Sequence, residues 1–328
     1  MIKLKERNHT IDAFRVLAIF GVVAIHIKND TSNAALIGNF FTPLSVPFFY
    51  IVSLLYFIIG LKSVGDNVVK KTFHKTFYRI VLPYLIWTVI YVLLRVIKAQ
   101  LIGAESGIVF WRAFFYGESA VQLYFIPYLL SMQAIILSLY LLFKGNVKNK
   151  FYGITLLIST ALFLKISIVN NCFGNSIGFV LIGIPSYISF AFLSTLFLSN
   201  RINIKTVCIG ATIIAVIVAL IENKIDLTIS DYSALSPLLA FGLLLMGIGL
   251  YDSIRLPLVL TSATYGVYLA HILILEGFEF IIDKAQIILN YGFFEKLLLT
   301  VFIFGISIIL LLLIRKYSLL RIFLLGEK

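Results

Sequence analysis

Arg15 and His26 stand eleven residues apart inside the first long apolar run, IDAFRVLAIFGVVAIHI. At about 100° per residue, eleven steps amount to three turns plus roughly 20°, so on a helix both side chains project from one face. Asp12, three residues before Arg15, joins that stripe. Along the axis the arginine and the histidine would be separated by about 16 Å. A cation at membrane depth costs about 2.5 kcal/mol or more even on lenient insertion scales, so such residues usually face protein and serve a pathway or a site. A neutral imidazole held there is suited to taking a proton from a hydroxyl, because its unperturbed pKa of about 6.5 lies near working pH. The structural alternatives are that His26 is an inert, hydrogen-bonded interface histidine and that Arg15 is simply the i, i+3 partner of Asp12.

Two further constellations carry candidate chemistry. In KKTFHKTFYRIVLPYLIW, Lys70, Lys71, His74, Lys75 and Arg79 approach one end of an apolar segment together. Phosphates of a cytoplasmic nucleotide or coenzyme would be drawn to such a cluster, with arginine offering forked donors. Anchoring to anionic lipid headgroups would call for the same residues. In TYGVYLAHILIL, Tyr265 and Tyr268 precede His271 at spacings of three. On a helix running from inside to outside, His271 reaches a depth similar to that of His26, so both histidines are expected to line one cavity; satisfied core packing is the alternative.

The elements that must position these groups are membrane helices. The 328 residues are 61% hydrophobic and 13% charged, far from ordinary soluble domains. With about 20 apolar residues needed per crossing, the chain reads as all-α and polytopic, with about ten spans. They fall near 11–27, 43–61, 79–97, 122–143, 151–168, 177–198, 205–221, 233–251, 257–276 and 296–314. Most Lys and Arg fall in segments left inside if both termini are cytoplasmic, whereas acidic residues lean outward. That asymmetry accounts for the net charge of +12, and nucleic-acid binding is not expected.

The basic start leads into an apolar stretch with no small-residue cleavage site, so the first span is read as uncleaved. Cys172 and Cys208 have no metal-ligand spacing, and neither a disulfide nor a metal is expected. Pro185, between Gly183 and Ser186, predicts a kink. Gly242, Gly247 and Gly249 in GLLLMGIG predict close helix approach. The segments from Lys98 to Val121 and from Gly277 to Glu295 read as amphipathic outer loops, either lying on the surface or meeting an acceptor.

IDAFRVLAIFGVVAIH resembles the first-helix signature of the acyltransferase-3 family of membrane acyltransferases, in which an arginine, ten residues and a histidine recur. VPFFYIVSLLYF, YRIVLPYLIW, QLYFIPYLL and TYGVYLAHILIL resemble its later helices in order. The resemblance spans nearly the whole chain. It implies a single membrane domain over 1–328 with no separate soluble domain, in the plasma or inner membrane. It also implies transfer of an acyl group, often acetyl from acetyl-CoA, to a hydroxyl of an envelope polysaccharide or lipid-linked glycan. No bound cofactor is implied; acyl-CoA is a co-substrate.

By matched position, Arg15 and His26 inherit the essential first-helix pair, and Arg79 the basic end of the donor motif. Thr76 stands where the family often has a second arginine, with Lys75 one place away. Ser53-Leu54 replaces the usual Ser-Gly, and Tyr124-Phe125 the usual Trp-Phe.

The expected mechanism brings acyl-CoA phosphates to Lys75 and Arg79 and its thioester arm to a cavity lined by the first and ninth spans. There His26 is the base, Arg15 holds charge or orders the donor, and His271 and Tyr268 shape the cavity. Direct transfer and an acetyl-histidine intermediate both remain open. The protein works alone or with a separate extracytoplasmic partner protein. A rival reading is a glycan or lipid-intermediate transporter or flippase using the same intramembrane charges; a third is a non-catalytic assembly subunit.

Overall fold

A computed structural model describes residues 8–63, 67–103, 107–142, 184–199, 201–222 and 235–327. All regular structure among these residues is helical. In chain order the helices are α1 (His9–His26), α2 (Ser32–Phe41), α3 (Ser45–Ser63), α4 (Val68–Thr76), α5 (Leu82–Ile102), α6 (Phe110–Phe115) and α7 (Phe125–Leu142). They continue with α8 (Ile184–Ser194), α9 (Ile204–Glu222), α10 (Leu235–Gly249), α11 (Leu258–Lys284), α12 (Phe293–Arg315) and α13 (Ser318–Leu325). A π-helical turn, Phe77–Val81, joins α4 to α5.

Among the described residues, 6 helical stretches are long and apolar enough to cross a membrane: His9–His26, Ser32–Leu61, Val68–Leu101, Phe125–Leu142, Leu258–Lys284 and Phe293–Arg315. They coincide with six of the expected spans. Three shorter apolar helices, Ile184–Ser194, Ile204–Val218 and Ser236–Gly249, fall where three more were expected. The expected span near 151–168, with Lys165, and Cys172 lie outside the described residues, as does Gly183 beside Pro185. The ninth expected span is longer than read, because α11 continues to Lys284. Helix α2 occupies what read as a connection. Thr31 starts it, its hydroxyl accepting the Ala34 N–H at 3.1 Å, and such a cap is worth about 1 kcal/mol.

The chain divides into two compact units. The first comprises Met1–Val22, Leu36–Gly65 and Met132–Thr261, and thus contains most of α1, with α3, α8, α9 and α10. Asn8 caps α1, its side-chain oxygen accepting the N–H groups of Thr10 and Ile11 at 3.0 and 3.1 Å. The Asn8 amide donates to the Gly247 carbonyl at 3.2 Å, and the Ile254 N–H donates to the Thr10 hydroxyl, so the start of α1 is pinned to the end of α10. The small-residue expectation holds: a Cβ on Gly210 would stand 2.5 Å from the Gly242 carbonyl oxygen, so α9 and α10 touch backbone to backbone there.

The second unit comprises Val23–Ala35, Asp66–Ser131 and Ser262–Lys328. Its π-turn has a local cause. Pro83 lacks the N–H that the Arg79 carbonyl would accept, and its ring crowds that carbonyl, so the helix widens by one residue. The Leu82 N–H reaches back to the Phe77 carbonyl. Helix α13 then packs along α5, where the Trp87 indole N–H donates to the Leu324 carbonyl at 3.0 Å. Arg315 grips Glu327 through two hydrogen bonds, of 2.9 and 2.6 Å, and also reaches the Ser262 carbonyl at 3.0 Å.

Candidate functional site

Helix α11 organises the second unit, and its tyrosines and histidine engage three different elements. Tyr265 donates its hydroxyl to the Ile80 carbonyl at 3.2 Å, inside the π-turn that carries Arg79. Tyr268 donates to the Gln122 carbonyl, and its ring meets Phe125 edge to face at 5.5 Å. His271 faces the end of α1: its ring centroid lies 5.4 Å from that of His26, with the planes inclined at 37°.

His271 is fully buried. Its Nδ1 lies 3.0 Å from both the Val267 and Tyr268 carbonyls. Carbonyls only accept, so the partners assign the proton to Nδ1 and leave Nε2 with a free lone pair. That Nε2 is buried and has no hydrogen-bond partner among the described residues. A buried acceptor without a partner costs about 1–3 kcal/mol, and such orphans point to a role beyond packing.

The turn around His271 is braced by Tyr91 of α5. The buried Tyr91 hydroxyl donates to the Leu269 carbonyl at 2.7 Å and accepts the Leu273 N–H at 3.2 Å. It thereby bridges one i, i+4 pair of α11 with its own oxygen. The Gln122 side chain donates to the same hydroxyl at 3.0 Å. Gln122 therefore holds Tyr91 through its side chain and Tyr268 through its backbone.

His26 is held by the three residues that leave the end of α1. Lys28 pairs with Glu279 at 3.5 Å. Asp30 exchanges backbone and side-chain hydrogen bonds with Tyr291, at 3.1 and 2.8 Å. Between them, Asn29 accepts a hydrogen bond from the Lys296 ammonium group. Lys296 is buried, and that hydrogen bond faces the segment just past His26. Tyr91, Gln122 and Lys296 escaped the sequence reading. Gln122 opens QLYFIPYLL, one of the segments that carry the family resemblance, but nothing about a tyrosine or a lysine near a span end distinguishes it until its partners are known.

Asp12 and Arg15 belong to the first unit. Asp12 is buried, and the Arg15 guanidinium donates to its carboxylate at 3.0 Å, so the structural pairing weighed for Arg15 is formed. Both lie on α1 together with His26, which closes the same helix in the second unit. Lys75 and Arg79 are exposed, Lys75 near the end of α4 and Arg79 in the π-turn. Neither has an ion pair or side-chain hydrogen bond among the described residues. Among the described residues their charge is thus not consumed. His74 is also exposed, its ring 4.7 Å from that of Tyr78.

The turn beneath Arg79 is closely covered. Gly326, with φ of +65°, ends α13, and a Cβ there would stand 2.7 Å from the Arg79 carbonyl oxygen. Only glycine satisfies both the left-handed backbone and the approach. Tyr265 from one side and the α13 terminus from the other therefore set the backbone of the π-turn.

No curated protein and no solved structure matches the chain significantly. The family model described as an acyltransferase domain, that of the acyltransferase-3 family, matches residues 8–316. That span takes in every helix of both units up to the end of α12, and with it the paired histidines, the Asp12–Arg15 pair and the π-turn. The chain therefore belongs to the acyltransferase-3 family and is a multi-pass membrane acyltransferase.

Proposed function

We propose that the protein transfers an acyl group, acetyl in the first instance, from cytoplasmic acyl-CoA to a hydroxyl of a cell-envelope polysaccharide or lipid-linked glycan, in the plasma or inner membrane. The observation that carries this reading is the facing pair of His26 and His271 in a chain of an acyltransferase family. His26 takes the proton of the acceptor hydroxyl. The oxygen forms an ester bond to the acyl carbon, the carbon–sulfur bond of the thioester breaks, and the proton passes on to the CoA thiolate. Positioned general bases contribute about 10²- to 10⁴-fold, and holding donor and acceptor together adds the advantage of a unimolecular step.

His271 and Tyr268 are supporting residues: Nε2 of His271 offers a fixed acceptor beside the His26 ring. Arg15, neutralised in part by Asp12, orders the donor or holds developing charge. Lys75 and Arg79 take the CoA phosphates, a role supported by their exposure and lack of protein partners among the described residues. An acetylated histidine would serve the same overall balance. The protein acts as one functional domain, by itself or with a separate extracytoplasmic partner.

The test is acceptor acylation by membranes containing His26→Ala or Arg15→Ala protein at matched abundance, with free CoA release measured in parallel. Loss of both signals is expected. Wild-type rates in both variants would end the proposal, and acceptor movement across vesicles without any acyl donor would favour transport instead.

A further inference from the structure

One turn beyond Tyr91 on the same face of α5 lies Arg95. It lines a cleft of about 520 Å³ together with Gly117, Glu118, Ser119, Tyr124 and Glu276. The cleft lies within the second unit. Because Tyr91 braces the turn around His271, the cleft opens roughly 6 Å along α5 from that brace. On the topology read from charge, it faces the outer side.

The rim carries both signs, but they are not equally engaged. Glu276 has Lys98 at 3.6 Å and Glu118 has Arg112 at 3.9 Å. Arg95 has no carboxylate within ion-pair distance among the described residues. Among the described residues its side chain donates one hydrogen bond, to the Glu118 backbone carbonyl at 2.9 Å. A guanidinium has five N–H donors in a planar fork suited to carboxylate and phosphate, so most of its recognition capacity is unspent. The two lining carboxylates, Glu118 and Glu276, thus have cations of their own from beside the cleft, Arg112 and Lys98, and the Arg95 charge is left unmatched. A second observation points to a ligand: Ser119 is 1% exposed, lines the cleft, and its hydroxyl has no partner among the described residues.

We propose that this cleft is an oxyanion subsite, in which Arg95 and Ser119 bind a carboxylate or phosphate group. Resting on the proposed function, that group belongs to the acceptor glycan, and the cleft holds the acceptor by its charge while a neighbouring hydroxyl is presented for acylation. The other source of the same chemistry is the phosphate of an anionic lipid headgroup.

The test uses the full chain in phosphatidylcholine nanodiscs and reads binding rather than transfer. The probes are trigalacturonate, inorganic phosphate and the neutral trisaccharide maltotriose. Trigalacturonate or phosphate is expected to bind, more weakly at high salt, and Arg95→Gln to weaken that binding by roughly tenfold or more. Arg95→Lys restores part of it and Ser119→Ala loses a smaller share. The salt dependence of the wild-type protein provides a readout that needs no variant to fold.

Repeating the titration with phosphatidylglycerol in the discs separates the sources. Arg95-dependent competition by the lipid assigns the subsite to headgroup phosphate, and unchanged trigalacturonate binding assigns it to the saccharide. Equal binding of maltotriose and trigalacturonate, or failure of Arg95→Gln to weaken either anion, overturns the proposal. His26→Ala should bind the anions as the wild type does, so loss of the transferase reading and loss of the subsite are distinguishable.

Discussion

The imidazoles of His26 and His271 lie with ring centroids 5.4 Å apart, one closing the first helix and the other midway along α11. Each is positioned by its own contacts: His26 by the Lys28–Asp30 segment, which binds Glu279 of α11, Tyr291, and Lys296 of α12, and His271 by Tyr91 and Gln122. This division lets the two rings be probed independently.

Replacing His271 with Asn keeps a donor toward the Val267 and Tyr268 carbonyls but removes Nε2. Acyl transfer should fall about 10²-fold or more, close to the effect of His26→Ala, if Nε2 faces the reacting groups. Wild-type turnover in His271→Asn, measured at matched abundance, would reduce His271 to packing.

Tyr91→Phe removes the hydroxyl that bridges Leu269 and Leu273 and strands the Gln122 amide. The expected cost is about 1–3 kcal/mol of stability, read as a lower melting temperature. A fall in kcat with the acyl-CoA KM unchanged would mark Tyr91 as a positioning residue for His271. A parallel shift of both constants would not.

Lys296→Met separates function from stability. Replacing a buried cation with an apolar side chain of similar length is often neutral or stabilising, so thermal stability should hold or rise. Activity should nevertheless fall, because Asn29, three residues past His26, loses its donor. Unchanged turnover in a folded Lys296→Met protein would contradict this assignment.

Gly326→Ala forces a side chain into left-handed backbone, at a cost of about 1–2 kcal/mol, and pushes against the Arg79 carbonyl. The acyl-CoA KM should rise several-fold while acceptor KM stays constant. Equal donor affinity in the variant would show that the π-turn does not shape donor binding.

Asp252 links pH to the anchoring of α1. Desolvation acts to raise its pKa, but the hydrogen bond and charge of Arg255, with His9 behind them, win and hold its carboxyl below the usual carboxylate range. A carboxyl depressed in the folded state stabilises above its unfolded pKa and loses that contribution as pH falls through its folded one. Wild type should thus be more heat-stable than Asp252→Asn at neutral pH, and the two should converge below about pH 4. A constant difference across that range would exclude this linkage.

Much of the fold was legible because bilayer-length apolar runs leave a strong local signal. Six of the expected spans coincide with long helices, and the glycines of α10 meet neighbouring helices closely as their spacing suggested, Gly242 and Gly249 against α9 and Gly247 against α1. Helix α2 was missed because ten residues capped by a threonine look like a loop when only span-length runs are counted. Arg15, His26 and His271 announced themselves as polar groups where apolar ones are expected. Tyr91 and Lys296 did not, since both types are ordinary near membrane interfaces.

The sequence by itself determined a helical membrane protein, its family, and the polar residues that interrupt its apolar helices, because hydropathy and motif spacing are properties of neighbouring residues. Only the tertiary structure decided that His271 faces His26, that Tyr91 spans a turn of α11, and that Lys296 is buried against Asn29. Those relations join residues far apart in the chain, and they depend on helix packing, which no local period encodes.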